Sequence, residues 1–220
     1  MRLLFLCALA LAACQSDPEV PVETEPVAIT GDFALVDDGT EDEGFVVFRD
    51  TLRAVVARRD TAELLALTAE GARLSYDDAP GGPDGLRALW FEGDTPTGAP
   101  IWTTLAEILD GGSVDEEGAI TVPWIAVLWP HEELDPYAHV AVLGEDVPAY
   151  DAPGGTVLAT LTETAVATTG EPRGGWQPVA LPDGRQAVVA DSLTLSPVGY
   201  RAAFWDDGDG WRLRSLLAGD

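Results

Sequence analysis

Five short apolar stretches follow one another at close, even spacing after residue 138: HVAVL, TVLATL, TAVATT, WQPVAL and RQAVVA. Each is strand length and rich in Val, Ala and Thr, and the Pro182-Asp183-Gly184 turn separates the last two. Short strands with turn signals between them bury their apolar faces by wrapping against one another, so residues 138–196 are expected to form a small β-barrel. The rest of the chain has to be arranged around that unit.

Ahead of it the pattern changes to helical spacing. Thr40-Glu41-Asp42-Glu43 has the form of a capping box, with Thr40 as N-cap and Glu43 reaching back. The segment after it sets Phe45, Phe48, Leu52 and Val55 on one helical face, with Arg49, Arg53, Arg58 and Arg59 mostly off it. Asp60 to Glu63 starts a second helix through Leu64, Leu65 and Leu67, ended by Gly71. RLSY reads as a short strand, LRALWF as a helical turn and IWTTLAEILDGG as a helix ending at Gly111. AITVPWIAVLW is β-rich and broken at Pro123. The chain finishes with YRAAFW, the turn DDGDG and WRLRSLL, a hairpin that could pair with either half. The expected class is α+β: an α+β region over 44–137, the barrel over 138–196, and a terminal hairpin over 197–220 packed on the body.

Charge limits the partners. Thirty-eight acidic residues face 12 basic ones, all Arg, for a net charge of −26. Such a surface repels phosphate backbones, which excludes nucleic acid as a partner. The acidic residues are dense between 15 and 43, where no Arg interrupts them and Pro18, Pro21 and Pro26 are interspersed. Like charges and prolines extend a chain, so 14–43 is expected to be a flexible acidic tether.

The sequence LLFLCALALAACQSDPE joins the most apolar part of the chain to this polar one at a single residue, Cys14. The apolar run is too short to span a bilayer, which takes roughly 20 residues. Leu11-Ala12-Ala13-Cys14 closely resembles the lipobox of bacterial lipoproteins. That resemblance implies a signal peptide over 1–13, removal of that peptide, and acylation of Cys14 on its thiol and its new amine. Two or more acyl chains anchor stably, at about 0.8 kcal/mol per buried methylene. Gln15 after the cysteine points, by the same resemblance, to the outer membrane, with the body facing the periplasm. Cys7 would leave with the signal and Cys14 would carry lipid, so the mature body would hold no free thiol and no disulfide.

A second resemblance covers 138–196. Gly175-Trp176 followed by Val179 matches the GW..V strand of bacterial SH3-like domains, and Asp183-Gly184-Arg185 matches their DG turn. VPAYDAP stands where that family carries LNVRSGP, keeping Val147, Ala149 and Pro153 but placing Tyr150 at the Arg position. Ala187-Val188-Val189 replaces the family's Gly-Trp/Tyr-Val. More widely, residues 44–220 resemble uncharacterised SH3 domain-containing bacterial proteins. The landmarks are LSYDDAPGGPDGLRALWF, IWTTLAEIL, VPWIAVLWPHEELDPYAHV, SPVGYRAAFW and GWRLRSLLAGD. The wider resemblance carries no known activity; the SH3-like one implies a groove for an extended peptide or glycopeptide, lined by Tyr150 and Trp176.

Reactive groups are scarce. Without Lys there is no P-loop and no Schiff-base amine, and no G-x-S-x-G elbow occurs. His131 and His139 lie eight residues apart across a proline, not on one helical face as in H-E-x-x-H. DDAPGGPDG and DDGDG lack the spacing of a calcium loop and read as turns. The ten aromatics Trp90, Phe91, Trp102, Trp124, Trp129, Tyr150, Trp176, Tyr200, Trp205 and Trp211 are expected mostly in the core or between halves. The expectation is therefore a non-catalytic, lipid-anchored envelope protein with no cofactor and no metal. Its partners would be the membrane, through acylated Cys14, and a peptide, peptidoglycan or envelope protein. The rival readings are a carboxylate-type cell-wall hydrolase targeted by the barrel, and a purely structural domain packed through Trp176 and Tyr200.

Overall fold

A computed structural model describes residues 26–92 and 100–219; Cys14, the signal over 1–13 and the acidic stretch through 25 lie outside the described residues. The front half runs β1 (Val27–Thr30), α1 (Glu43–Arg58), α2 (Thr61–Ala66), β2 (Thr68–Arg73), α3 (Gly82–Arg87), α4 (Ile101–Leu109), β3 (Val114–Glu116) and β4 (Ala119–Val122). The back half runs β5 (His139–Val142), β6 (Val147–Tyr150), β7 (Val157–Thr162), β8 (Thr164–Thr168), β9 (Trp176–Ala180), β10 (Gln186–Ala190) and β11 (Thr194–Leu195). β12 (Tyr200–Asp206) and β13 (Trp211–Ala218) close the chain as an antiparallel hairpin. The class is α+β.

From Val27 on, the segment expected as a tether belongs to the body. β1 pairs in parallel with β7, from Val27 opposite Ala159 to Thr30 opposite Thr162. Phe33 is buried, edge-to-face on Trp129 at 5.1 Å. Parallel pairing satisfies one edge of the β1 backbone, and the phenyl ring supplies burial that the segment's charges conceal in sequence.

Asp42, not Thr40, caps α1: its carboxylate accepts a hydrogen bond from the Phe45 N–H at 2.7 Å. Thr40 lies in a 3-10 turn before the helix (Asp38–Glu41), its hydroxyl bonded to the Asp37 carbonyl. Phe45, Phe48, Leu52 and Val55 are buried as their spacing requires. Arg49 is buried as well, in contrast to its expected place off the apolar face.

The second helix stops at Ala66, well before Gly71, because Thr68–Arg73 becomes β2 beside β13. Leu213 N–H donates to the Leu67 carbonyl at 2.9 Å, so a partner distant in sequence overrides the helical reading. β2 also replaces the strand expected at RLSY. One five-stranded sheet results, ordered β2-β13-β12-β4-β3, so the hairpin pairs with the front half. Helices α1 to α4 and this sheet share a core that includes Phe45, Leu52, Leu64, Leu105, Ile120, Phe204, Leu213 and Leu216. Phe204 is central, with ring centroids 5.4 Å from Phe48 and 5.8 Å from Phe45.

The second sheet has eight strands in the order β1-β7-β6-β10-β9-β8-β5-β11. It includes the five predicted strands and adds β1, β6 and β11. The hydrogen-bonded order does not return on itself, so no closed barrel is formed among the described residues. Val140, Val142, Ala149, Leu161, Val179 and Val189 line its core. A third cluster, with Phe33, Val114, Trp124, Ile125, Ala141 and Leu195, joins the two sheets.

Candidate functional site

Tyr150 and Trp176 come together, ring centroids 5.6 Å apart and 89° between planes. Two turns position them. Trp176 follows Gly174 and Gly175, both with positive φ, in a tight turn where Arg173 and Trp176 exchange backbone hydrogen bonds. Positive φ at both central positions makes glycine the natural residue at each, as in a type I′ hairpin. Tyr150 precedes a loop closed by Asp151, whose carboxylate accepts from Thr156 N–H at 2.8 Å while its N–H bonds the Thr156 carbonyl.

The pairing register completes the surface. Tyr150 lies opposite Val188, Pro178 opposite the same residue from the other side, and Trp176 opposite Ala190. Directly opposed residues share a face, and all five are half-buried while Ala187 and Val189 point into the core. Between Ala149 and Tyr150 the β6–β7 ladder slips by one residue, a bulge of the kind that re-aims a neighbouring side chain. The outcome is a partly exposed apolar strip of Tyr150, Trp176, Pro178, Val188 and Ala190. The first two are legible in the sequence; the others become visible only once the register is known, although the glycine pair before Trp176 announces the turn. Neither ring belongs to the core clusters of the front half. Tyr200, expected with Trp176 between the halves, packs on Trp90 at 5.4 Å, while Trp176 packs on Tyr150.

The histidines are separate. His131 stands between two carboxylates, Nε2 2.6 Å from Asp32 and Nδ1 3.0 Å from Glu133, and lies against Phe33 at 5.3 Å. The hydrogen bond to Asp32, then that to Glu133, raises the imidazole above its ordinary value. Asp32 is correspondingly lowered by the same bond. His139 opens β5, with Nδ1 2.9 Å from the Asp135 carbonyl. In DDGDG, Asp206 accepts from Gly208 and Gly210 N–H, so this carboxylate closes the turn. Among the described residues no group of three or more His, Cys, Asp or Glu side chains converges in metal-binding geometry.

No helix among the described residues is long and apolar enough to cross a membrane. Comparison with protein-family models, curated proteins and solved structures found no match to the chain.

Proposed function

We propose that this chain is a lipid-anchored protein of the bacterial cell envelope, rooted through acylated Cys14 in the outer membrane and facing the periplasm. Its SH3-like part binds an extended peptide, either a peptidoglycan stem peptide or a segment of another envelope protein. The observation that carries this reading is the Tyr150–Trp176 pair, set edge-to-face on a half-exposed apolar strip of the eight-stranded sheet. Aromatic faces on a sheet suit an extended ligand, whose alternate side chains enter the spaces between rings. The SH3-like reading draws support from the order of the back half: a 3-10 turn (Asp191–Leu193) follows β10, and the last strand, β11, returns to pair with β5.

Two experiments test it. Intact-mass analysis of the protein from its host should give a mature chain beginning at Cys14 with acyl groups attached; an unmodified cysteine would remove the anchor. Residues 15–220 should be retained on purified sacculi or by a peptide from envelope extract, and Trp176→Ala should abolish retention. Equal retention of the variant would remove the aromatic strip as the contact surface.

A further inference from the structure

A cavity of about 440 Å³ lies where α4 of the front half meets the 3-10 turn and β11 of the back half. That is within the range, roughly 300–1,000 Å³, of small-molecule sites. The Tyr150–Trp176 strip is not part of its lining.

Two carboxylates border it. Asp191 is half-buried at the start of the 3-10 turn, and Glu107 stands exposed at the rim on α4. Neither forms an ion pair with a described residue, whereas Asp110, also on the lining, is neutralised by Arg53 at 3.0 Å. Although Glu107 is exposed at the rim, the protein packed along one side of its carboxyl strips part of its hydration and raises it above its ordinary value, with the charge of Asp191 adding to this; burial raises Asp191.

Acidic residues alone would be a solvated edge. A second observation sets this place apart. Thr104, one turn before Glu107 on α4, is 5% exposed and lines the cavity, yet its hydroxyl hydrogen-bonds to no described residue. The hydroxyl is not sealed in the core, and it opens to the cavity that Thr104 lines. Gln177, 3% exposed and on the same lining, donates its amide N–H groups to the Gly170 and Pro178 carbonyls, so its free group is the acceptor Oε1. A hydroxyl and an amide oxygen that open to a cavity are met there by water or by the N–H groups of a ligand.

We infer that this cavity is a binding site for a small organic ammonium ion, held by Glu107 and Asp191 with Thr104 and Gln177 accepting its remaining N–H groups. The choice of ligand class follows from the lining. Hard cations such as calcium are held by several converging carboxylates, and among the described residues no three acidic side chains converge in that way, while Ile108, Val140 and Leu195 make much of this wall apolar. An alkylammonium ion matches both parts, its charge to the carboxylates and its methylenes to the apolar wall. The net charge of −26 concentrates cations around the whole molecule and speeds their entry.

The test is an NMR titration of the full chain, in non-ionic detergent at low salt, with 1,5-diaminopentane. Saturable shifts confined to amides around Thr104, Glu107, Gln177 and Asp191 are expected. 1-Pentanol should produce none of them, and the Glu107→Gln/Asp191→Asn double variant should weaken binding about tenfold or more. Thr104→Val should weaken it by a smaller factor. Both variants' amide spectra report directly whether they remain folded, and Thr104→Val leaves both charges in place. Absence of saturable shifts, equal binding by the folded double variant, or an equal response to 1-pentanol would overturn the assignment. Displacement of the diamine by calcium chloride at a few equivalents would also overturn it, in favour of a metal site.

Discussion

Arg49 and Asp37 meet at 2.6 Å, joining the apolar face of α1 to the acidic run that precedes it. The guanidinium is almost wholly buried. The same Asp37 oxygen accepts from the Ser113 hydroxyl at 2.6 Å, and Ser113 in turn accepts the Gly39 N–H at 2.9 Å. Three stretches of chain, before α1, within it and at the start of β3, are thereby fastened together.

Removing one partner strands the other. Asp37→Ala should therefore cost about 3 kcal/mol, at the low end for a broken buried pair because Asp37 keeps some contact with water. Burial by itself would raise the Asp37 carboxyl, but the hydrogen bonds from Arg49 and Ser113 outweigh it and hold the group below its ordinary value of 3.8. A lowered carboxyl gives stability that is complete above the ordinary value and disappears as pH falls through the lowered one. Urea melts at neutral pH and in acid should show the wild-type advantage over the variant shrinking only in the acid range.

His131 gives the opposite slope. Its value is raised above 6.5 by Asp32 and Glu133, so its contribution is complete below 6.5 and is lost as pH rises through the raised value. Thermal melts of wild type and His131→Gln should differ most in mildly acidic buffer and converge in alkaline buffer. A constant difference would remove the ion pairs as the cause.

Asp191 is held against its preference. With its carboxyl raised by burial, the folded protein bears a desolvation cost above the raised value and none once both states are protonated. Asp191→Asn should consequently raise Tm at neutral pH, with the gain vanishing in acid.

Trp176→Ala should leave the chain folded, losing about 1–2 kcal/mol, since the ring is half-buried and outside the core clusters. A double-mutant cycle with Tyr150→Ala should return a coupling of about 1 kcal/mol, the scale of an edge-to-face pair.

Phe204→Ala addresses the centre of the front-half core. The residue is fully buried against Phe45 and Phe48, and its loss should cost about 3–5 kcal/mol by chemical denaturation.

What the sequence made legible follows the physics of each element. α1 and α4 carry enough apolar residues at helical spacing to be read directly, and β7 to β10 alternate clearly. β1, β2 and β11 are short or rich in Ala, Gly and Thr, and each exists because a strand far along the chain offers hydrogen bonds. Arg49 misleads for a related reason: a charge at a helical position signals solvent unless its counterion is known, and Asp37 lies in a run that looks like a solvated spacer. Helical spacing from Asp60 to Gly71 runs past the true end at Ala66 because β13, the competitor for that backbone, comes last in the chain. Tyr150 and Trp176 could be named from motif spacing, but their companions needed the strand register. Glu107 and Asp191 carried no signal, being two acidic residues among 38.

The pairing of β1 with β7 also sets a distance. Under the proposed anchoring, only twelve residues, Gln15 to Pro26, separate Cys14 from Val27, where the strand begins. Fully stretched they span about 40 Å, roughly the height of one small domain. Such a leash would be short and would end at the β1 border of the larger sheet, which would keep that border nearest the lipid headgroups. A partner fixed in the cell wall would have to come within a single protein diameter of the bilayer to be caught.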